Sequence, residues 1–451
     1  ICNNDDIPLN SNTPSYDLTI IGAGMAGLAA ALFAANRGIS CVQIGQTGGI
    51  VFSSGLLDLM GVHPIRDRKS WTDPWAAIRA LKQDLPQHPY SRLSRAEIQA
   101  AFDELTTFLA ASGLPYNCHQ HQNSEVITSL GTTKLSYCVP TSMWNGVQAL
   151  KEKAACLVIG FEGMKDFSAR QIATTIKDRW PDIQSCRLAF PGTVELLDLQ
   201  PENMARLMEQ PTVRAEVIKR IKPLLNGAKS IGLPAILGLN FIDGVISDLE
   251  NELGVPVFEI PTMPVSIPGY RLLVAFEKHL VKRGVQQLLQ KKVYEVSGGL
   301  GEDFYLTIGD QSPEIRFQSK AVLLASGRFL GKGLVADRQE IQEAIFGLPV
   351  SQPEARSKWY EAQFFNPNGH EACRAGLEID DQFRPLDRSA QPAYPSLYAA
   401  GSILAHQDWT RMKCGAGLSI ASAYKAIEAF SASNNRGTFY NVPVKKKVEK
   451  I

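Results

Sequence analysis

Three glycines at 22, 24 and 27, set between an apolar run and a stretch of small residues, limit this chain more than any other feature. Residues 18–21 are apolar or β-branched and predict an inner strand of a parallel sheet. Gly22 permits a tight turn, and Gly24 lets backbone approach a pyrophosphate with no Cβ in the way. Gly27 lets the following helix lie close to the strand. The first amides of that helix, at Met25 and Ala26, can point at an anionic phosphate. Strand, glycine turn and helix in this order predict a dinucleotide-binding unit. A second strand is expected at residues 40–44. Such a strand normally ends in an acid that binds the adenosine ribose, and Gly45 stands in that place.

The loop at residues 46–58 holds three glycines, two serines and a threonine, with Ser53, Ser54 and Gly55 at its centre. Lying after the second strand, on the ligand edge of the sheet, it can wrap donors and hydroxyls around a ribityl chain or ring. The end of the chain repeats the logic. Residues 321–327 read as a buried strand ending in Ser326 and Gly327, and residues 396–402 as a last strand reaching Gly401. Gly415 and Gly417 open a second small-residue helix, whose N-terminus can stabilise negative charge on a reduced flavin ring.

Helical spacing appears at Ala76, Ile78, Leu81 and Leu85, then at Ile98, Phe102, Leu105 and Leu109, the second run opened by a capping box of Ser94 and Glu97. Amphipathic packing accounts for both. Strand patterns at 155–160 and 185–190, a helix at 168–180 and helical segments from 201 to 225 and after 239 predict an α/β domain inserted into the first. The expected division is residues 15–153 and 265–451 for the two parts of the flavin-binding domain and 154–264 for the insert. The fold class is α/β, a Rossmann-like FAD/NAD(P)-binding fold.

Balance excludes several function classes. With 46 basic and 45 acidic residues the net charge is +1, which leaves no footprint for nucleic acid. No run of about 20 apolar residues is present to span a bilayer, so membrane contact is expected to be peripheral. The lysines at 445–447 read as a solvated tail. Eight cysteines fall at no CxxC spacing, which predicts reduced, mostly buried thiols and no iron–sulfur or zinc site. His119 and His121, at i and i+2, read as polar loop residues, and no metal is expected.

The segments VFSSGLLDL (51–59), LGTTK (130–134), VIGFEGMKDF (158–167), GLPAILG (232–238), PGYRL (268–272) and LASGRFLGKGL (324–334) carry a resemblance. They resemble, in the same order, the B subunit of the anaerobic glycerol-3-phosphate dehydrogenase. That family is similar to the succinate dehydrogenase and fumarate reductase class of flavoproteins. The resemblance implies a catalytic flavoprotein A subunit and a membrane-anchoring iron–sulfur C subunit as partners. It also implies oxidation of sn-glycerol 3-phosphate with electrons passing to the quinone pool, in the cytoplasm or on the cytoplasmic face of the inner membrane. The family is described as carrying FMN. The fingerprint, which cradles a pyrophosphate, favours FAD, and Gly45 is the one feature that leans to FMN.

His406, Asp408, Arg411 and Lys413 lie between the last strand and the second glycine helix, where a flavin's reactive edge is expected. His406 is the candidate to move a proton, and Arg411 to hold an anionic substrate or the reduced ring. Arg328 and Lys332 follow the Ser-Gly strand, and Cys414 precedes the helix. Solvated or paired charges and a buried thiol are the plain alternatives. Two other functions fit the same residues: a self-contained flavin oxidoreductase acting on a small carboxylate, and a flavin-binding assembly subunit without turnover.

Overall fold

The computed structural model describes residues 13–46, 49–119, 121–192 and 199–437. Cys2, Thr47, Gly48 and the lysines at 445–447 lie outside them. β1 (Ser15–Ile21) and β2 (Cys41–Gly45) pair in parallel, joined by α1 (Met25–Asn36). Leu28 through Ala34 of α1 are wholly buried, so this helix is apolar all round and sits inside the molecule. Next come α2 (Pro74–Asp84) and α3 (Arg95–Ala111). The expected capping box is formed: Ser94 Oγ accepts from the Glu97 amide at 3.2 Å, and the Ser94 amide donates to Glu97 Oε2 at 2.7 Å.

Four short strands follow: β3 (Tyr116–Cys118), β4 (Ser124–Ile127), β5 (Thr133–Ser136) and β6 (Cys138–Pro140), with β3 paired antiparallel to β6 and β4 to β5. This ribbon corrects the expectation of reduced cysteines. Cys118 and Cys138 stand directly opposite each other, Cα atoms 4.2 Å apart, and form a disulfide. Antiparallel pairing alone brings side chains that close. A separation of 20 residues gives no hint of it.

α4 (Thr141–Glu152) leads to a second sheet, built from β7 (Cys156–Phe161), α5 (Ala169–Ile176), β8 (Ile183–Leu188), α6 (Pro201–Met208), α7 (Pro211–Ile221), β9 (Ser230–Pro234), α8 (Ile242–Leu253) and β10 (Val257–Ile260). Its four strands are all parallel in the order β10-β9-β7-β8 and enclose a core of their own. Beyond β10 the Ser266 amide donates to the Val51 carbonyl at 2.9 Å, so the C-terminal edge of this sheet meets the serine-glycine loop.

α9 (Ile267–Lys282) returns to the first sheet, which gains β11 (Gln286–Leu289), a hairpin of β12 (Lys292–Gly298) and β13 (Phe304–Gly309), and β14 (Pro313–Leu324). After a small ribbon of β15 (Leu334–Ala336) and β16 (Ile341–Glu343) come β17 (Leu397–Ala399), α10 (Trp409–Met412) and α11 (Gly415–Gly437). The first sheet runs β11-β2-β1-β14-β13-β12, with β17 also on β14. Strands β11, β2, β1, β14 and β17 are parallel, so their C-terminal ends share one edge. Ligands of such sheets bind along that edge.

Candidate functional site

Gly22, Gly24 and Gly27 do three different jobs. Gly22 has φ +141°, and a Cβ on it would lie 2.1 Å from the Ala325 carbonyl oxygen at the end of β14. A Cβ on Gly27 would lie 2.1 Å from the Gly22 carbonyl oxygen, which fixes how close α1 comes to the turn. Gly24 is unlike both, because nothing lies within 4 Å of where its Cβ would be. The backbone therefore requires glycine at 22 and 27, whereas at 24 the space is open. Gly24 is also the extended N-cap of α1, and no side chain caps the helix. The first helical bond is donated by Leu28, so the amides of Met25 and Ala26 need a partner from outside the helix. Open space in front of unpaired amides at a helix start fits a pyrophosphate.

Gln43, absent from the sequence candidates, supports this turn from below. It is fully buried on β2, donates from Nε2 to the Gly22 carbonyl at 3.0 Å and accepts from Gln287 Nε2 at 2.9 Å. A polar residue inside an apolar strand was the available signal. Gly45 has a steric explanation: a Cβ there would lie 2.9 Å from the Ala23 amide nitrogen. The turn occupies the room that a side chain at the strand's end would need.

Other expected contacts gather on the same edge. Ser326 Oγ is buried and finds no partner among the described residues, which suits a ligand hydroxyl or carbonyl. Gly327 has φ +70° and lies beside Ser402 Oγ. Gly401 has φ +80°, a Cβ on it would meet Ala26 Cβ at 2.7 Å, and its amide donates to Ser422 Oγ at 2.8 Å. Arg328 is a clamp behind this group. Nearly buried, it donates to the carbonyls of Cys373, Leu404 and Gln407, and burial pushes it down to about 10.

The remaining glycines are held by protein. Gly55 has φ +79°, its carbonyl accepts from the Tyr116 hydroxyl at 2.7 Å, and Pro268 leaves no room for a Cβ. Ser53 Oγ accepts from the Gly55 amide at 3.4 Å, and the partly exposed Ser54 lies between them. Gly415 packs under Trp409. Gly417 lies under Tyr90, and its amide donates to the Asp58 carbonyl at 2.7 Å, so that amide is spent inside the chain.

The charged candidates form two pairs. His406, with φ +61°, bonds Glu378 through Nε2, and this bond holds the Glu378 carboxyl below its ordinary value. Arg411 bonds Asp408 Oδ2 at 3.1 Å, and Asp408 is buried. Lys332 is exposed. Cys414 is wholly buried and burial drives its thiol far up, so it is an inert core group. Among the described residues no cluster of histidine, cysteine and carboxylates is placed to hold a metal, and no helix is long and apolar enough to cross a membrane.

Beside Tyr90 sits His88, fully buried, accepting the Tyr90 amide at Nδ1 over 3.1 Å while Nε2 has no partner among the described residues. Burial, then the nearby His63 and His406, push it down to about 3. An unfolded histidine titrates near 6.5, so the folded state binds fewer protons between these values. The stabilisation is complete above pH 6.5 and is lost as the pH falls toward 3. At about 1.36 kcal/mol per unit, lowering the pH from 7 to ~4.5 costs the native chain roughly 2–3 kcal/mol through this group alone. His88→Asn keeps an acceptor for the Tyr90 amide, and its loss of stability over that interval should be smaller by this amount in denaturant titrations. An unchanged pH slope would show that His88 does not resist charging.

Residues 17–418 match the family model of the FAD binding domain. The chain is 30% identical over 427 residues to the B subunit of the anaerobic glycerol-3-phosphate dehydrogenase of Pectobacterium atrosepticum, covering 93% of this chain and 99% of that one. It is 30% identical over 431 residues to the protein of the same name from Vibrio vulnificus, covering 92% and 96%. For the Yersinia pseudotuberculosis protein the identity is 30% over 430 residues, covering 92% and 97%. All three are named as subunits, so the family is part of a larger assembly. The open cradle at Gly24 and these matches agree: the chain is an FAD-binding flavoprotein of the oxidoreductase class and belongs to the family of anaerobic glycerol-3-phosphate dehydrogenase B subunits.

Proposed function

We propose that this chain, as the B subunit, takes part in oxidising sn-glycerol 3-phosphate to dihydroxyacetone phosphate, in complex with a catalytic flavoprotein A subunit and a membrane-anchoring iron–sulfur C subunit. Electrons pass to the quinone pool on the cytoplasmic face of the inner membrane. The observation that carries the reading is the open space at Gly24, at a helix start that no side chain caps, in a chain that matches a B subunit over 93% of its length. FAD supplies a two-electron acceptor there when bound. Met25 and Ala26 amides would hold the pyrophosphate, Ser326 Oγ would take a polar atom of the cofactor, and Arg328 fixes the loops around it. His406, oriented by Glu378, is the group on this chain that can move a proton, and Arg411, kept in place by Asp408, the one that can hold an anionic substrate or the reduced ring. Exposed aromatic and aliphatic side chains at Phe364, Phe365 and Leu330 support contact with another protein.

The test is reduction of the bound flavin. The purified chain is expected to show oxidised-flavin absorption that glycerol 3-phosphate bleaches only when the partner subunits are added. Bleaching of the isolated chain by a small carboxylate substrate would favour a self-contained oxidoreductase. A colourless chain that still completes the complex would make it an assembly subunit.

A further inference from the structure

The segment from Asp58 to Val62 runs beside the turn that joins α10 to α11. Gly61 and Val62 amides both donate to the Met412 carbonyl, at 3.1 and 2.9 Å, and the Gly417 amide donates to the Asp58 carbonyl. Gly61 carries no Cβ because one would lie 2.9 Å from Lys413 Cβ. Lys134, from β5, reaches the same place and bonds Asp58 Oδ2 at 2.6 Å. Three cations therefore meet here, Lys134, Arg411 and Lys413, with two carboxylates, Asp58 and Asp408. Lys134 is matched to Asp58 and Arg411 to Asp408, at 2.6 and 3.1 Å. Lys413 has no ion-pair partner among the described residues, although its backbone is fixed in the left-handed region at φ +54°. It is the residual charge at the start of the 23-residue helix α11, whose dipole adds to the positive potential. Asp58 contributes a complementary feature, since its Oδ1 is buried with no partner among the described residues.

We propose that Lys413, with Lys134 and Arg411, seats the phosphate of a small hydroxylated phosphate ester on this chain, and that Asp58 Oδ1 accepts one of the ester's hydroxyls. The proposal rests on the functional reading above and adds that the substrate touches this subunit. Two cations alone would be satisfied by the two carboxylates already present. The third makes the difference: it leaves the site with one positive charge over, which draws a phosphate group, and the Lys134 and Arg411 donors at its edge add hydrogen bonds to the phosphate oxygens. Lys413 is exposed to solvent; desolvation of its stem and the neighbouring Lys134 ammonium push it down, against the pull of Asp58 and Asp408, so the two carboxylates do not offset the crowding of cations. The side chains of Lys134 and Arg411 retain 27% and 28% exposure, so a ligand can reach them from solvent. The carboxylate oxygen gives the site selectivity, since the ester carries hydroxyls that can donate to it while its phosphate lies on the cations, and inorganic phosphate has no such arm.

The experiment titrates sn-glycerol 3-phosphate, glycerol and inorganic phosphate into the FAD-loaded full chain by calorimetry, with the flavin reduction potential measured alongside. The wild type should bind glycerol 3-phosphate more tightly than inorganic phosphate, and glycerol weakly or not at all. Lys413→Met should raise Kd for both phosphates about 10- to 100-fold. Lys413→Arg should restore most of the affinity, and Asp58→Asn should weaken the ester more than inorganic phosphate. Flavin content should be unchanged throughout. Unaltered ester affinity in Lys413→Met overturns the seat while leaving the flavoprotein reading intact. A shifted flavin potential with unaltered affinity also overturns it and assigns Lys413 to the cofactor. If the wild type binds no ester while its flavin is still bleached by the ester in the assembled complex, the substrate site lies on the partner and only this inference fails. Absence of both sinks the functional reading together with the seat.

Discussion

A Gly24→Val chain is expected to fold as the wild type does and to be purified without flavin. Nothing lies within 4 Å of the Cβ position at Gly24, and the residue is extended at φ −86° and ψ −175°, so valine fits the protein without strain. The added methyls instead fill the space in front of the Met25 and Ala26 amides. A phosphate kept from two charge-assisted hydrogen bonds forfeits about 1.5–3 kcal/mol for each. Affinity for FAD should therefore fall roughly 10²- to 10⁴-fold, measured by fluorescence titration of the apoprotein. The thermal midpoint of the apoprotein should stay within about 2 °C of the wild type. Gly27→Val makes the contrast: its Cβ would lie 2.1 Å from the Gly22 carbonyl oxygen, so this change should lower stability and flavin content together. A Gly24→Val chain that retains stoichiometric FAD would place the cofactor away from this turn.

Much of this cradle is legible in the sequence because backbone sterics, which glycine spacing reports, decide it. The strand at 18–21, the buried strand end at 321–324 and the helix after Gly24 follow from local pattern, and so does the capping box at Ser94, whereas residues 325–327, read as the strand's last positions, lie beyond it. What escaped depends on approaches between distant segments. Gly417 reads as a cofactor contact in sequence, yet its missing Cβ answers Tyr90 and Asp58, residues over 300 positions away. Gly45 reads as a lost acid, and the structure shows the fingerprint turn lying against it. Arg328 reads as a candidate for chemistry, but the three carbonyls that surround it come from loops whose course no periodicity reveals. The Cys118–Cys138 disulfide escapes for the same reason, since ribbon pairing and not spacing brings the sulfurs together. In each case a single residue type is compatible with two roles, and only the packing partner decides between them.

The largest effect on stability is expected at Arg271, where the second sheet is fastened to α9. Its guanidinium donates to both oxygens of Glu259, at 2.6 and 2.8 Å, and through Nε and Nη2 to the Gly238 carbonyl, at 2.9 and 2.6 Å. Glu259 Oε1 also accepts the Leu237 amide at 2.8 Å. Both side chains are almost fully out of water, at 4% and 0% exposure, so neither charge can be rehydrated in place when its partner is removed. Arg271→Met preserves the apolar stem yet leaves a buried carboxylate facing one amide, at a cost of about 3–5 kcal/mol. The midpoint of thermal unfolding should drop by roughly 5–10 °C. Adding Glu259→Leu removes the stranded charge and should recover most of the loss, except for about 1–3 kcal/mol from the Leu237 amide and Gly238 carbonyl left unpaired. Flavin binding offers a second readout, because α9 begins against the serine-glycine loop, with Gly269 so close to the Ile50 carbonyl that a Cβ would lie 2.4 Å from its oxygen. The single variant should therefore release FAD at a lower temperature than the wild type, and the double variant should hold it nearly as well. If both variants unfold at the wild-type temperature, water reaches the pair, and the second sheet is held to α9 by its apolar contacts alone.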